Sequence, residues 1–248
     1  MLRDLNELEG YVLLAEDGEI GRCKYFLFDD HYWTIRYMVA DTGKWLPDRK
    51  VLISPISLGN PDGQTRRLPV KLTKNSIENS PPISADQPVS REYEKEWFRH
   101  YGWSVYWLGG GIWGPVGYPP ELYQAPAEKQ TVQEETEPLE SHLRSTDEVE
   151  GYSIHSLDGD IGEVDNFIIE DSTWTIRYIV VKTGNWLSGK KVLISPEWIE
   201  LVDWADAKVT VDLTREEIEN SPPYDPNTPV NRDYEMKLYD YYGRPKYW

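Results

Sequence analysis

Residues 33–37 read WTIRY, and residues 174–178 read WTIRY again, 141 positions later. β-Branched and aromatic types dominate both stretches, as a strand prefers. In the second, Trp174, Ile176, Tyr178 and Val180 share one face, and Thr175, Arg177 and Ile179 the other. KVLISP at 50–55 and 191–196 keeps the same offset, as does IENSPP at 77–82 and 218–223. From residue 9 to residue 102 the copies align without a gap, with roughly 42 identities in about 94 positions. That period is far beyond solenoid repeats of about 20–50 residues. Each copy is long enough for a modest core of its own. The chain therefore reads as two homologous domains.

Within a copy, Asp17-Gly18 and Asp158-Gly159 are turn signals between extended runs. Pro55 and Pro196 end the KVLISP strands, because proline cannot donate to a ladder. Five or six short strands with tight turns and no helical period predict a mainly β fold, two small closed or nearly closed barrels. Each barrel is followed by a short helical, aromatic-rich arm. Thr214 and Glu217 form a capping box for the first helix of the second arm. Thr73 caps its counterpart, with Ser76 in the glutamate position. Ser90 and Asn231 are N-cap residues for a second helix, which Gly102 and Gly243 end. The domain reading is barrel and arm at 1–102, a Trp/Gly-rich insertion at 103–123, an acidic linker at 124–148, and barrel and arm at 149–248.

These residues resemble the PRC-barrel family. Gly10, DGEIG at 17–21, WTIRY and KVLISP carry the pattern once; Gly151, DGDIG at 158–162, WTIRY and KVLISP carry it again. The resemblance implies a compact, roughly six-stranded barrel, as in the H subunit of photosynthetic reaction centres and the C-terminal domain of a ribosome-maturation factor. In both, the barrel holds other proteins. The arm resembles the tail of stand-alone bacterial proteins with two such barrels. The resemblance supplies no catalytic residues, and the reaction-centre subunit's membrane anchor has no counterpart.

The 248 residues include 43 acidic and 26 basic side chains, a formal net charge of -17. So acidic a chain does not read as a general nucleic-acid binder. Residues 1–123 carry a net -3 and residues 124–248 a net -14. One cysteine rules out a disulfide framework. Nothing approaches the roughly 20 apolar residues that span a bilayer, and the first residues lack a signal-peptide pattern. The expectation is a cytoplasmic protein with no integral membrane segment.

Reactive constellations are not evident. None of His31, His100, His142 and His155 faces a histidine in the other copy, and no zinc spacing occurs. No cofactor is expected. Cys23 reads as a small buried hydrophobe. Gly109-Gly110-Gly111 lacks the lysine of a phosphate loop and reads as a flexible joint. Arg36 and Arg177 read as partners of Asp30 and Asp171 in barrel-end ion pairs, or as an anion pocket at the rim. Trp103, Trp107 and Trp113, with Tyr241, Tyr242 and Trp248, are the candidate interaction residues, because such side chains join large apolar area to a polar handle. They wrap their own barrels or meet a partner.

The expected function is a non-enzymatic protein-interaction or scaffold module with a protein partner. The alternative is a module for a small ligand or anion, at a barrel mouth or the inter-barrel cleft; a hydrolase with an atypical site ranks last. Pseudo-two-fold pairing of the copies, or a homodimer, would follow from such a duplication.

Overall fold

The computed structural model describes residues 1–124, 142–184 and 189–248. Most of the acidic linker therefore lies outside the described residues. The chain divides into two compact units: a first of Leu8–Ser145 with Ser172–Trp174, and a second of Met1–Glu7, Thr146–Asp171 and Thr175–Trp248. These cut across the boundaries drawn from sequence. Residues 1–7 go with the second copy, and residues 142–145, placed in the linker, go with the first.

In chain order the strands are β1 (Leu2–Asp4), β2 (Val12–Ala15), β3 (Gly18–Asp29), β4 (Thr34–Asp41), β5 (Val51–Ile53), β6 (Arg67–Pro69) and β7 (Leu143–Ser145). They continue with β8 (Ser153–Ser156), β9 (Gly159–Glu170), β10 (Thr175–Thr183), β11 (Lys191–Ile194), β12 (Ile199–Asp203) and β13 (Lys208–Val211). Helices are α1 (Lys74–Glu78), α2 (Arg91–Tyr101), α3 (Pro119–Gln124), α4 (Thr146–Val149), α5 (Arg215–Asn220) and α6 (Arg232–Tyr242). No helix among the described residues is long and apolar enough to cross a membrane.

Each unit is built on a mixed sheet. In the first, β6 pairs parallel with β2, and β2, β3, β4 and β5 follow antiparallel, with β7 added to β3. In the second, β13 joins β12 antiparallel and β8 parallel, then β8, β9, β10 and β11 run antiparallel, with β1 added to β9. The ladders run as open paths, which corrects the expectation of closed or nearly closed barrels. The chain leaves β5 through a 3-10 turn at Pro55–Ser57, whose proline has no N–H to extend a ladder. Beyond it, isolated bridges link Leu58 to Val70 and Asp62 to Arg67.

The turn glycines explain the DGxIG signature. Gly21 sits at φ 135°, and a Cβ there would meet the Asp41 carbonyl oxygen at 2.1 Å. A Cβ on Gly162 would meet the Lys182 carbonyl at the same distance. Only glycine lets the hairpin close that tightly. Trp33 and Trp174, which open the two WTIRY strands, both adopt left-handed conformations, at φ 49° and 59°. Such conformations are uncommon for bulky side chains, so the fold holds both turns in place. Phe26, Phe28, Ile35, Tyr37 and Ile53 fill the first core, and Phe167, Ile169, Ile176, Tyr178 and Ile194 the second.

The helices begin where their caps predict. Thr214 accepts from the Glu217 amide while the Glu217 carboxylate accepts from the Thr214 amide, closing the capping box on α5. Thr73 accepts from the Ser76 amide on α1. Ser90 and Asn231 cap α2 and α6, and Gly102 and Gly243 end them in left-handed conformations.

Candidate functional site

In each unit a strand tyrosine points at a glutamate of the last long helix. Tyr37 lies on β4, inside the alternation of WTIRY, and its Oη donates to Glu94 Oε1 of α2 at 2.9 Å. Tyr106 donates to the same oxygen at 2.8 Å, and Arg91, one turn before Glu94, donates to Oε2 at 2.9 Å. The second unit repeats this. Tyr178 of β10 and Tyr247 donate to Glu235 Oε1 at 2.8 and 2.7 Å, and Arg232 lies 3.0 Å from Oε2. Arg91 stacks on Trp107 at 4.2 Å, and Arg232 on Trp248 at 4.1 Å. Every one of these residues recurs at the offset of 141.

Electrostatics follow from burial. Glu94 is held above the usual carboxylate range because burial disfavours its charge, partly offset by Arg91 and the two tyrosine donors. Tyr37 and Tyr106 are pushed well above the ordinary phenol value, first by burial and then by the Glu94 charge. Tyr178 is raised by burial in the same sense. Perturbed groups of this kind mark active sites, but also buried structural networks. Here Glu94 is buried, and both its oxygens already accept from neighbours within the unit. That geometry leaves a carboxylate locked in place.

A second layer adjoins the first cluster. Arg36, the neighbour of Tyr37, donates to Asp29 Oδ2 at 3.2 Å and to the Ile112 carbonyl at 2.7 Å. Its guanidinium lies 3.9 Å from the Tyr106 ring and 4.8 Å from that of Trp113. Trp113 is fully buried and donates to the Thr173 carbonyl at 2.7 Å within the same unit. The glycine-rich turn makes this cover. Gly111 and Gly114 exchange backbone hydrogen bonds at 3.1 Å. A Cβ on Gly109 would meet Gly114 at 2.8 Å. Gly109 and Gly111 thus serve close backbone approach, where the sequence suggested a joint, while Gly110 has open space around it.

The ion-pair expectation needs a correction. Arg36 pairs with Asp29 and Arg177 with Glu170, one residue before the expected Asp30 and Asp171. Asp30 turns to Arg144 at 2.9 Å, and Asp171 to Arg3 at 3.6 Å. Irregular register between Leu27 and Phe28, and between Ile176 and Tyr178, shifts which carboxylate faces the arginine. The Arg36 side chain is 0% exposed, and that of Arg177 is 19% exposed beneath Tyr247 at 4.1 Å.

The aromatic candidates do not form one surface. Trp103 is buried, stacked on Tyr101 at 4.8 Å; Trp113 is buried; Trp107 is half-buried. Tyr242 is half-buried against Trp198. Tyr241 and Trp248 are open to solvent, at 40% and 45%. Cys23 is buried, and burial pushes its thiol far up, away from nucleophilic form. No group of three or more histidine, cysteine or carboxylate side chains among the described residues could hold a metal ion. A cavity of about 150 Å³ lies beside β1, lined by Leu2, Asp4, Tyr224 and Asn227 among others. It is smaller than the roughly 300–1,000 Å³ of typical ligand sites.

The glutamate clusters were missed from sequence. Their signal was there: REYE at 91–94 against RDYE at 232–235, and Tyr-Trp at 106–107 against 247–248.

The PRC-barrel domain model matches residues 145–218. No curated protein matches the chain. The PRC-barrel match takes in Glu170, Arg177 and Tyr178 and stops within α5. Glu235, Arg232 and Tyr247 lie beyond it, so in this unit the cluster ties the PRC-barrel segment to the arm that follows.

Proposed function

We propose that the chain is a tandem PRC-barrel protein whose two modules hold other proteins and do not transform molecules. The match covers 145–218, and the gapless repeat supports reading the first copy as the same module. One observation carries the functional reading. The charged and phenolic residues kept in both copies, Glu94 and Glu235 above all, are engaged inside their own units. A duplicated catalyst would keep a reactive group facing a cleft. Facing outward are Tyr241, where the first copy has His100, and Trp248, the counterpart of the half-buried Trp107. Exposed aromatics suit protein interfaces.

The test is affinity retention by the immobilised chain beside its Tyr241→Ala/Trp248→Ala variant, matched for thermal stability. The native chain is expected to retain a protein partner in fixed ratio, and the variant to bind at least tenfold more weakly. Retention of no protein, with turnover of a metabolite, would overturn the reading. A small molecule retained in native mass spectrometry would support the ligand-binding alternative instead.

A further inference from the structure

β8 stops pairing with β9 at Glu163, and further along β9 its edge at residues 168–170 is covered by β1. Leu2 faces Glu170, Arg3 faces Ile169 and Asp4 faces Ile168. In the first unit β7 covers β3 in the equivalent register, with Leu143 facing Asp29, Arg144 facing Phe28 and Ser145 facing Leu27. All six positions correspond at the offset of 141. β1 and β7 are thus the same element of the two repeats. Each sits in the unit that holds the body of the other repeat.

We propose that the edge of β9 holding Leu2–Asp4 is a strand-exchange site, and that the partner it takes in trans is the same segment of a second copy of this chain. The contacts that seat β1 are independent of which chain supplies it. They are the main-chain ladder, Arg3 against Asp171 at 3.6 Å, Asp4 accepting from Tyr224 at 3.3 Å and from the Asn166 amide, and the buried Leu5. Strand addition takes affinity from the ladder and specificity from such side chains. The tethered copy is favoured by effective concentration alone. Exchange of an identical element is a low-cost route to a dimer, and a bare edge invites it. The inference rests on the pairing within this unit and holds whether or not the modules bind a foreign protein.

The test pairs two forms of the chain. A tagged form lacking residues 1–7 has the β9 edge bare. An Asp171→Arg form places like charge against its own Arg3 and frees its β1. The tagged form is expected to capture the Asp171→Arg chain at a concentration at least tenfold lower than it needs for the native chain. Capture of neither, or of both equally, would overturn the proposal. Should the shortened form lack native near-ultraviolet circular dichroism, a tagged Arg3→Glu chain takes its place, and the same two results decide.

Discussion

The arginines of the two WTIRY strands begin from the same residues and end in different surroundings. Arg177 meets Glu170 beneath one ring, with part of its side chain in water. Arg36 meets Asp29 out of water, roofed by Trp113 and bonded to the Ile112 carbonyl. The glycine-rich turn that supplies this roof follows Tyr106-Trp107. Under this roof the Arg36 pair is buried, whereas the Arg177 pair keeps part of both side chains in water. A rim pair contributes about 0–1 kcal/mol. Removing one partner of a buried pair costs about 3–5 kcal/mol, because the other charge is stranded.

The comparison breaks most severely if the roof is removed. Trp113→Ala deletes a fully buried indole and its bond to Thr173, and should cost about 3–5 kcal/mol. Urea unfolding followed by tryptophan fluorescence measures it. A loss below about 1 kcal/mol would mean that the turn merely lies on the first unit.

Much of this was legible in sequence, for a physical reason. Asp-Gly turns, the Thr214 capping box and the glycine helix ends depend on neighbours within a few residues. The repeat revealed the shared fold because its core and turn residues stay in one frame. What was hidden depends on distance along the chain. Asp29 and Glu170 displace Asp30 and Asp171 because the ladders slip locally. The seats of β1 and β7 involve partners more than 100 residues away, which no local pattern encodes.

A smaller effect sharpens the parallel between the glutamate clusters. Tyr37, Tyr106 and Tyr178 titrate above the ordinary phenol value in the folded chain, and burial pushes Tyr101 up to about 12. The unfolded chain releases these protons near pH 10. Their contribution is therefore complete below about pH 10 and is lost as pH rises toward the folded values. The slope is about 1.4 kcal/mol per pH unit for each tyrosine that stays protonated. Glu94 acts in the same sense in acid: its raised folded value contributes stability below the ordinary carboxylate range, which is lost as pH rises through the folded value. Unfolding midpoints should fall steeply between about pH 10 and 12, and less steeply for Tyr37→Phe. Identical slopes would mean that Tyr37 is not held neutral by its surroundings.

Burial beneath Trp113 makes the Arg36 pair, unlike the Arg177 pair, a part of what holds its unit together. Equilibrium unfolding of Arg36→Ala beside Arg177→Ala tests it most directly. Arg36→Ala should lose about 3–5 kcal/mol and Arg177→Ala about 0–1 kcal/mol. An Arg36→Ala chain that unfolds at the native denaturant concentration would contradict it, and would mean that the buried guanidinium is kept for a ligand.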